Sequence, residues 1–550
     1  MVRSASALLR LEQRRRSMRA YFTSAEGVET PQSQNPAAII VPMRSRFLIL
    51  SVVAAALLAC QAASLVFGFP TLTPTIPATL TVAPTASPTP TQVAARGTAQ
   101  ASESLLFSNG GFSVRLHPDG GLYVGDQVSF EILAPEKYRR RDMQATLAIP
   151  GETALGPYEF APHGIARRPQ ATLLWAWDTS DLDAGSFELT FSIQPHGLSW
   201  TETFNLLPQG ALPPQEAHAR WVSSESDCCL VYTISGTEAE RDLPELLDLI
   251  DEEYDKAYQR LPAELEGPLP IVILPRVIGH GGFASQELSV SYLDRNYAGG
   301  ATAMVLHHEI VHYLDSRLGG ELRPSLLVEG LAVYLSGGHF KPEALIPRAA
   351  ALLDSGGYIP LASLVEDFYL AQHESSYLLA GSLVEYMVDR WGWQAFADFY
   401  RDIRPEPEDS SQLAALDSAL LAHFNLTLDA LEKDFLEVLR LQPVTPELRA
   451  DVRLTISFYN TVRRYQLALD PSAYYLTAWL PDGAQMRSRG IVADYLRRPS
   501  SPENLLIETM LVAADQRLRS GEYPAAMEIL ERVNTVLDSL PIQDNSPLGR

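Results

Sequence analysis

Apolar and polar residues alternate along the stretch from about residue 104 to 208, most plainly at Phe187, Leu189, Phe191 and Ile193. A period of two puts every second side chain on one face of a strand. Turn-forming groups such as Asp119-Gly120-Gly121 and Asp183-Ala184-Gly185 punctuate the runs. The segments FSVRL, VSFEIL, MQATLAI, ATLLWAW, SFELTFSI and TETFNLL therefore predict a β-sandwich over 104–208. From about Ala217 the pattern becomes mixed: a strand at Leu230 to Ile234 leads into the helix-period run LPELLDLIDEEYDKAYQRL, and the strand PIVILP follows. GGFASQELSVSYLD reads as a further strand, with Ser289, Val290 and Ser291 expected to form an exposed edge along which an extended peptide pairs. Downstream the spacing is helical. Met304, Val305, Ile310, Val311 and Leu314 mark one helix between Gly299-Gly300 and Gly319-Gly320, and LLVEGLAVYLSGG marks a second after the break at Pro324. The chain is thus expected to be multidomain, the sandwich being followed by an α+β domain over 217–442 and a helical C-terminal region over 443–550.

With 46% apolar and 20% charged residues in 550, the composition is that of a globular chain with room for several domains. A formal charge of −23 leaves no broad basic face and argues against nucleic acid as a partner. Arginines do gather in residues 1–46, ahead of the uncharged run from Phe47 to Phe69, which is long enough to cross a bilayer. The positive flank predicts a cytoplasmic N-terminus and export of everything after it, and Met43 offers a tidier start to such a segment. Leu57-Leu58-Ala59-Cys60 is similar to a bacterial lipobox, which would lipidate Cys60; the apolar run continues past Cys60, which suits an uncleaved anchor, and plain cleaved secretion is the third option. All three place the folded part outside the cytoplasm, the first two at the cell membrane. The Thr/Pro tract over 70–103 is expected to be an extended spacer. Cys228 and Cys229, the other cysteines, are neighbours and are expected to be two small unbridged residues of the strand CCLVYTI. The sandwich resembles the immunoglobulin-like type without its cysteine pair, and Trp175 and Trp177 fit its core or outer face with no ligand. Near the end, Gly521-Glu522-Tyr523-Pro524-Ala525-Ala526 is similar to the turn of a tetratricopeptide hairpin. A single pair of that kind cannot bury its own face, so it is expected to pack on the preceding helices.

The candidate chemistry lies in the two central helices. His308-Glu309-Ile310-Val311-His312 is an HExxH motif, which on a helix puts two imidazoles on one face where they can share a zinc ion. Glu309 between them is suited to take a proton from the attacking water. With Glu329-Gly330-Leu331-Ala332-Val333-Tyr334 on the next helix, the chain resembles the gluzincin metallopeptidases, and more closely their peptidase MA-like domains, in which HExxH is followed by EGxAxY. The resemblance covers roughly 220 to 440. It implies a gluzincin-type α+β fold with a helical lobe, His308, His312 and Glu329 as zinc ligands, and Glu309 as general base. It also implies a tyrosine that steadies the oxyanion, for which Tyr377 in ESSYLLAGSLVEYMVDRWG is the candidate. Gly330 and Ala332 fit a close crossing of the two motif helices.

Departures from the pattern narrow the reading. Thermolysin-like enzymes carry an aspartate four residues after the glutamate ligand, where this chain has Val333; support for the ligands must come from elsewhere, and Asp315 on the face of the two histidines is the candidate acceptor for an imidazole N–H. No third-histidine extension follows His312, which argues against the metzincin branch, and Gly281-Gly282-Phe283-Ala284-Ser285 stands where an exopeptidase GxMEN segment would be. The expected activity is a membrane-tethered zinc peptidase acting on a peptide or protein substrate, with an endopeptidase or a narrow-specificity peptidase preferred. A surface binding or scaffold protein with a structural or vestigial zinc site is the alternative, and hydrolysis of a non-peptide amide would use the same residues.

Overall fold

A computed structural model describes residues 107–109, 111–135, 142–163, 168–279, 281–318, 320–406, 411–471, 473 and 483–540. The arginine-rich start over 1–46, the run 47–69 with Cys60, and the tract 70–103 lie outside the described residues. Among the described residues no helix is long and apolar enough to cross a membrane. The architecture is α+β and multidomain, with three sheets, the third interrupted by two helices, and the remaining helices after it.

The first ten strands are β1 (Phe107–Asn109), β2 (Phe112–His117), β3 (Leu122–Tyr123), β4 (Gln127–Leu133), β5 (Gln144–Ala148), β6 (Leu155–Glu159), β7 (Ala161–His163), β8 (Arg168–Asp178), β9 (Gly185–Gln194) and β10 (Leu198–Leu207). They form two five-stranded sheets, ordered β1-β2-β4-β8-β7 and β3-β10-β9-β5-β6. The alternation in the sequence is the pattern of burial. Leu189, Phe191 and Ile193 of β9 and Trp200, Phe204 and Leu206 of β10 enter one core with Phe112, Phe130 and Trp177 of the other sheet. Phe130 meets Phe191 edge-on at 5.5 Å across the two sheets, and burial of each such side chain stabilises the fold by about 1.5–3 kcal/mol. Trp175 does not join this core. Its backbone stands at φ 46, and its ring lies under the guanidinium of Arg489 at 4.6 Å.

The third sheet has the spatial order β11 (Trp221–Glu225), β12 (Cys229–Ile234), β13 (Leu269–Leu274), β15 (Leu288–Ser291) and β14 (Gly282–Ala284). β12, β13 and β15 run parallel, which suits their burial on both faces, while β11 and β14 are antiparallel edges. The edge expected at Ser289 to Ser291 is therefore misplaced. β15 is an interior strand with all four residues buried, and Ser291 Oγ accepts from the Ile278 N–H at 2.9 Å, so its polarity serves the backbone rather than solvent. The true edge is β14. The structure also corrects the cysteines: Cys228 and Cys229 are joined in a disulfide. Their Cα atoms are 3.7 Å apart, so the link ties no distant segments and the fold rests on burial.

The α-helices among the described residues are α1 (Glu238–Arg241), α2 (Leu243–Arg260), α3 (Thr302–Asp315), α4 (Ser325–Ser336), α5 (Leu345–Asp354), α6 (Leu361–Glu366), α7 (His373–Trp391) and α8 (Trp393–Arg401). They continue with α9 (Gln412–Phe424), α10 (Leu428–Arg440), α11 (Pro446–Leu469), α12 (Gly483–Ser488), α13 (Ala493–Leu496), α14 (Pro502–Arg519) and α15 (Tyr523–Ser539). Ile250 of α2 and Leu306, Ile310 and Leu314 of α3 cover one face of the third sheet, against Val231, Ile271, Ile273 and Val290. Met486, Ile491, Val492 and Tyr495 cover the other, against Ile234, Val272 and Leu274. The close crossing at Gly330 is made with α7 rather than α3: a Cβ there would lie 2.5 Å from the Ala380 carbonyl oxygen, and one at Gly381 2.4 Å from Val333 Cγ1. α14 and α15 pack on α11 through Phe458, Val462, Leu511, Leu530 and Val533, in one cluster with Val277, Tyr297 and Phe340.

Candidate metal centre

α3 projects His308 and His312 from successive turns, and α4 brings Glu329 up to them. His312 Nε2 lies 2.9 Å from His308 Nε2, and Glu329 Oε2 lies 3.3 Å and 3.2 Å from the two nitrogens. A tetrahedral zinc with bonds of about 2.0–2.1 Å separates its ligand atoms by about 3.3 Å, so the three donors already stand close to one triangular face of such a site. The donor set, two imidazoles and a carboxylate, is chemistry that zinc accepts. His308 and His312 side chains are 14% and 16% exposed and Glu329 8%, which leaves a narrow approach.

The three donors are also coupled through their charges. Burial and the neighbouring His312 hold His308 down to about 4. At His312 burial is outweighed by the Glu329 carboxylate, which lifts it to about 9. Burial also opposes the charge on Glu329, but the two imidazoles hold it well below the usual carboxylate range. Glu309 is buried beside them, and burial pushes it up to about 7 against the pull of His312. Its outer neighbour is the edge strand: a Cβ at Gly282 would stand 2.4 Å from Glu309 Oε1. On the other side of α3, His307 Nδ1 meets Glu253 Oε2 of α2 at 2.9 Å, which fixes the rotation of the motif helix.

No family model matches this chain, and no curated protein matches it either.

The surroundings of the triad contain residues that the sequence did not single out. Tyr369 donates to Glu329 Oε1 at 2.6 Å, which leaves Oε2 turned toward the histidines. This is the support that Val333 does not provide. Asp315, expected to serve an imidazole, is instead bonded to Arg323 and to the Tyr400 hydroxyl, the latter at 2.8 Å. The Tyr377 ring lies 6.1 Å from that of His308. The His339 ring stacks on it at 4.4 Å, and His373 flanks it at 4.6 Å. His339 is itself set by a 2.6 Å contact from Nδ1 to Glu374, a buried carboxylate that also meets Arg348. Glu374 and Tyr377 lie one turn apart on α7, so one helix holds both the tyrosine and the group that orients its stacking partner. No periodic signal marks Tyr369, His339 or His373, because each comes from a segment outside the two motif helices.

A second cluster of donors, Cys228, Cys229 and Asp251, also converges. Its sulfurs are spent in the disulfide, and Asp251 accepts the backbone N–H groups of Asp227 and Cys228.

Proposed function

We propose that this protein is a zinc-dependent peptidase with a gluzincin-type catalytic domain, preceded by an immunoglobulin-like sandwich that acts as a spacer. In this reading it works outside the cytoplasm, held at the cell membrane by its N-terminal segment. The observation that carries the proposal is the convergence of His308 Nε2, His312 Nε2 and Glu329 Oε2 within 2.9–3.3 Å, with Glu309 buried alongside. A zinc ion held by those three residues would supply Lewis acidity toward a scissile carbonyl and acidify the attacking water. Glu309 takes the proton from that water and returns it to the leaving amine. Tyr369 holds Glu329 in its orientation, and Tyr377, whose ring lies near that of His308, would donate to the oxygen that gains charge. The outer edge of β14, next to Glu309, offers backbone groups to an extended peptide.

The test is metal content and chelator-sensitive cleavage of a mixed peptide library by the purified chain and its Glu309→Gln variant. About one zinc per chain is expected in both proteins, with cleavage lowered by about 10²–10⁴-fold in the variant. A chain that binds no zinc would end the metal reading, and zinc with no cleavage would move the assignment to a non-peptide amide or a binding role.

A further inference from the structure

β14 is three residues long, paired on one side only, and sits where the peptide reading needs an accurate edge. A strand this short has little rigidity of its own. Its two faces are held by widely separated parts of the chain. Gly282 faces Glu309 and Ala284 joins the core around α3, whereas Phe283 packs on the opposite side with Met486, Ile491, Val492 and Tyr495. The tip of the β14–β15 hairpin carries Glu287, and Arg487 grips it in a fork, Nη1 to Oε1 at 3.0 Å and Nη2 to Oε2 at 2.6 Å. Both side chains are 11% exposed, and the guanidinium also covers the Tyr232 ring at 4.0 Å. A two-point bond of this kind fixes direction as well as distance. Gly483 comes so near that a Cβ would stand 2.4 Å from Glu287 Oε1. The loop entering the hairpin is fastened from the same region of sequence, Gln466 Nε2 donating to the Gly279 carbonyl at 2.7 Å and the Gly279 N–H to the Ala473 carbonyl at 3.1 Å.

Resting on the peptidase reading, we infer that the segment Gly483–Arg497 is part of the substrate site: it holds the β14 edge in place beside Glu309, with Arg487 as a positioning residue for extended peptides. Its contribution falls on binding along the edge and not on the metal or the proton transfer.

The experiment uses the full chain, with Arg487→Met and Gly483→Ala as independent variants and Arg487→Lys as the conservative control. Three quantities are read: amide hydrogen exchange over residues 281–291, zinc content, and kcat and KM for the best-cleaved library peptide together with a version shortened at both ends. Both disruptive variants should exchange hairpin amides about tenfold faster while keeping their zinc. KM for the long peptide should rise about tenfold with kcat within about twofold, the short peptide should be unaffected, and Arg487→Lys should fall between. Exchange at the wild-type rate in both variants, or a fall in kcat with KM unchanged, would overturn the inference. If the wild-type chain cleaves no peptide, the peptidase reading fails by itself. The exchange data then decide the other point, since faster exchange keeps the segment as the holder of the edge and unchanged exchange removes it.

Discussion

At position 282 the missing side chain makes room for Glu309. Gly282 does not have a positive φ, so alanine is conformationally allowed there, and what a Cβ would meet is the buried Glu309 side chain, Oε1 at 2.4 Å and Cγ at 2.8 Å. Gly282→Ala is therefore expected to leave the fold and the zinc content intact while displacing Glu309, the proposed general base. A drop in kcat of about tenfold or more, measured beside metal analysis, is the expected outcome, and wild-type turnover would show that Glu309 has room to spare. HExxH and the run from Glu329 to Tyr334 were legible because a motif is fixed residue types at fixed spacing, and the structure does bring His308, His312 and Glu329 together. Tyr369 was not, since a single hydroxyl donated to Glu329 across 40 positions leaves no pattern in the chain. Asp315 shows the opposite error: it lies on the right helical face, but Arg323 and Tyr400 reach it from other elements and claim it.

Among the elements, the contact between α4 and α7 sets the position of Glu329, the proposed third ligand. Gly330, next to Glu329, abuts the Ala380 carbonyl, and Gly381 abuts Val333. The backbone oxygen cannot turn aside as a side chain can, so Gly330→Ala should push the helices apart. A loss of roughly 2–3 kcal/mol in unfolding free energy is expected, with weaker zinc binding, as read by denaturant titration and metal competition. The glycine was noticed in the sequence, but its partner helix was not, because periodicity identifies a face without saying which neighbour it meets. The same limit explains the edge strand. Apolar alternation placed strands near 282–291, and only the hydrogen-bonded order of the sheet shows that β14 lies outside β15.

On the scale of the molecule, the C-terminal segment joins the first sheets to the third. Arg497 reaches Asp126 with both η nitrogens, at 2.7 Å and 2.9 Å, and also pairs with Glu216 and the Gly121 carbonyl. Arg276 donates to the Asp494 and Arg497 carbonyls at 2.9 Å and 3.0 Å. Asp494 is buried in this joint, and burial lifts its carboxyl from 3.8 to about 6, against the pull of His117 and Arg276. A folded-state value above the unfolded one means that the protonated group favours folding. That contribution is whole below about pH 4 and is lost as pH rises through about 6. Asp494→Asn should accordingly match the wild type near pH 4 and gain on it up to pH 7, by at most about 2–3 kcal/mol. Thermal melts at the two pH values would show it, and a constant offset between the proteins would reject the assignment.

Local features were set by the sequence alone: the strand alternation of the first sheets, the two motif helices, and the residue types at 308, 309, 312 and 329. These follow from periods of 2 and 3.6 residues and from motif spacing, which act over a few positions. Tertiary structure alone decided which strand is the edge, which helix meets Gly330, and which residue steadies Glu329. It also decided that residues near the C-terminus cover the sheet beside the site. Each of these depends on contacts between segments tens to hundreds of residues apart, such as Arg487 with Glu287, and burial of a shared face, not local spacing, selects them.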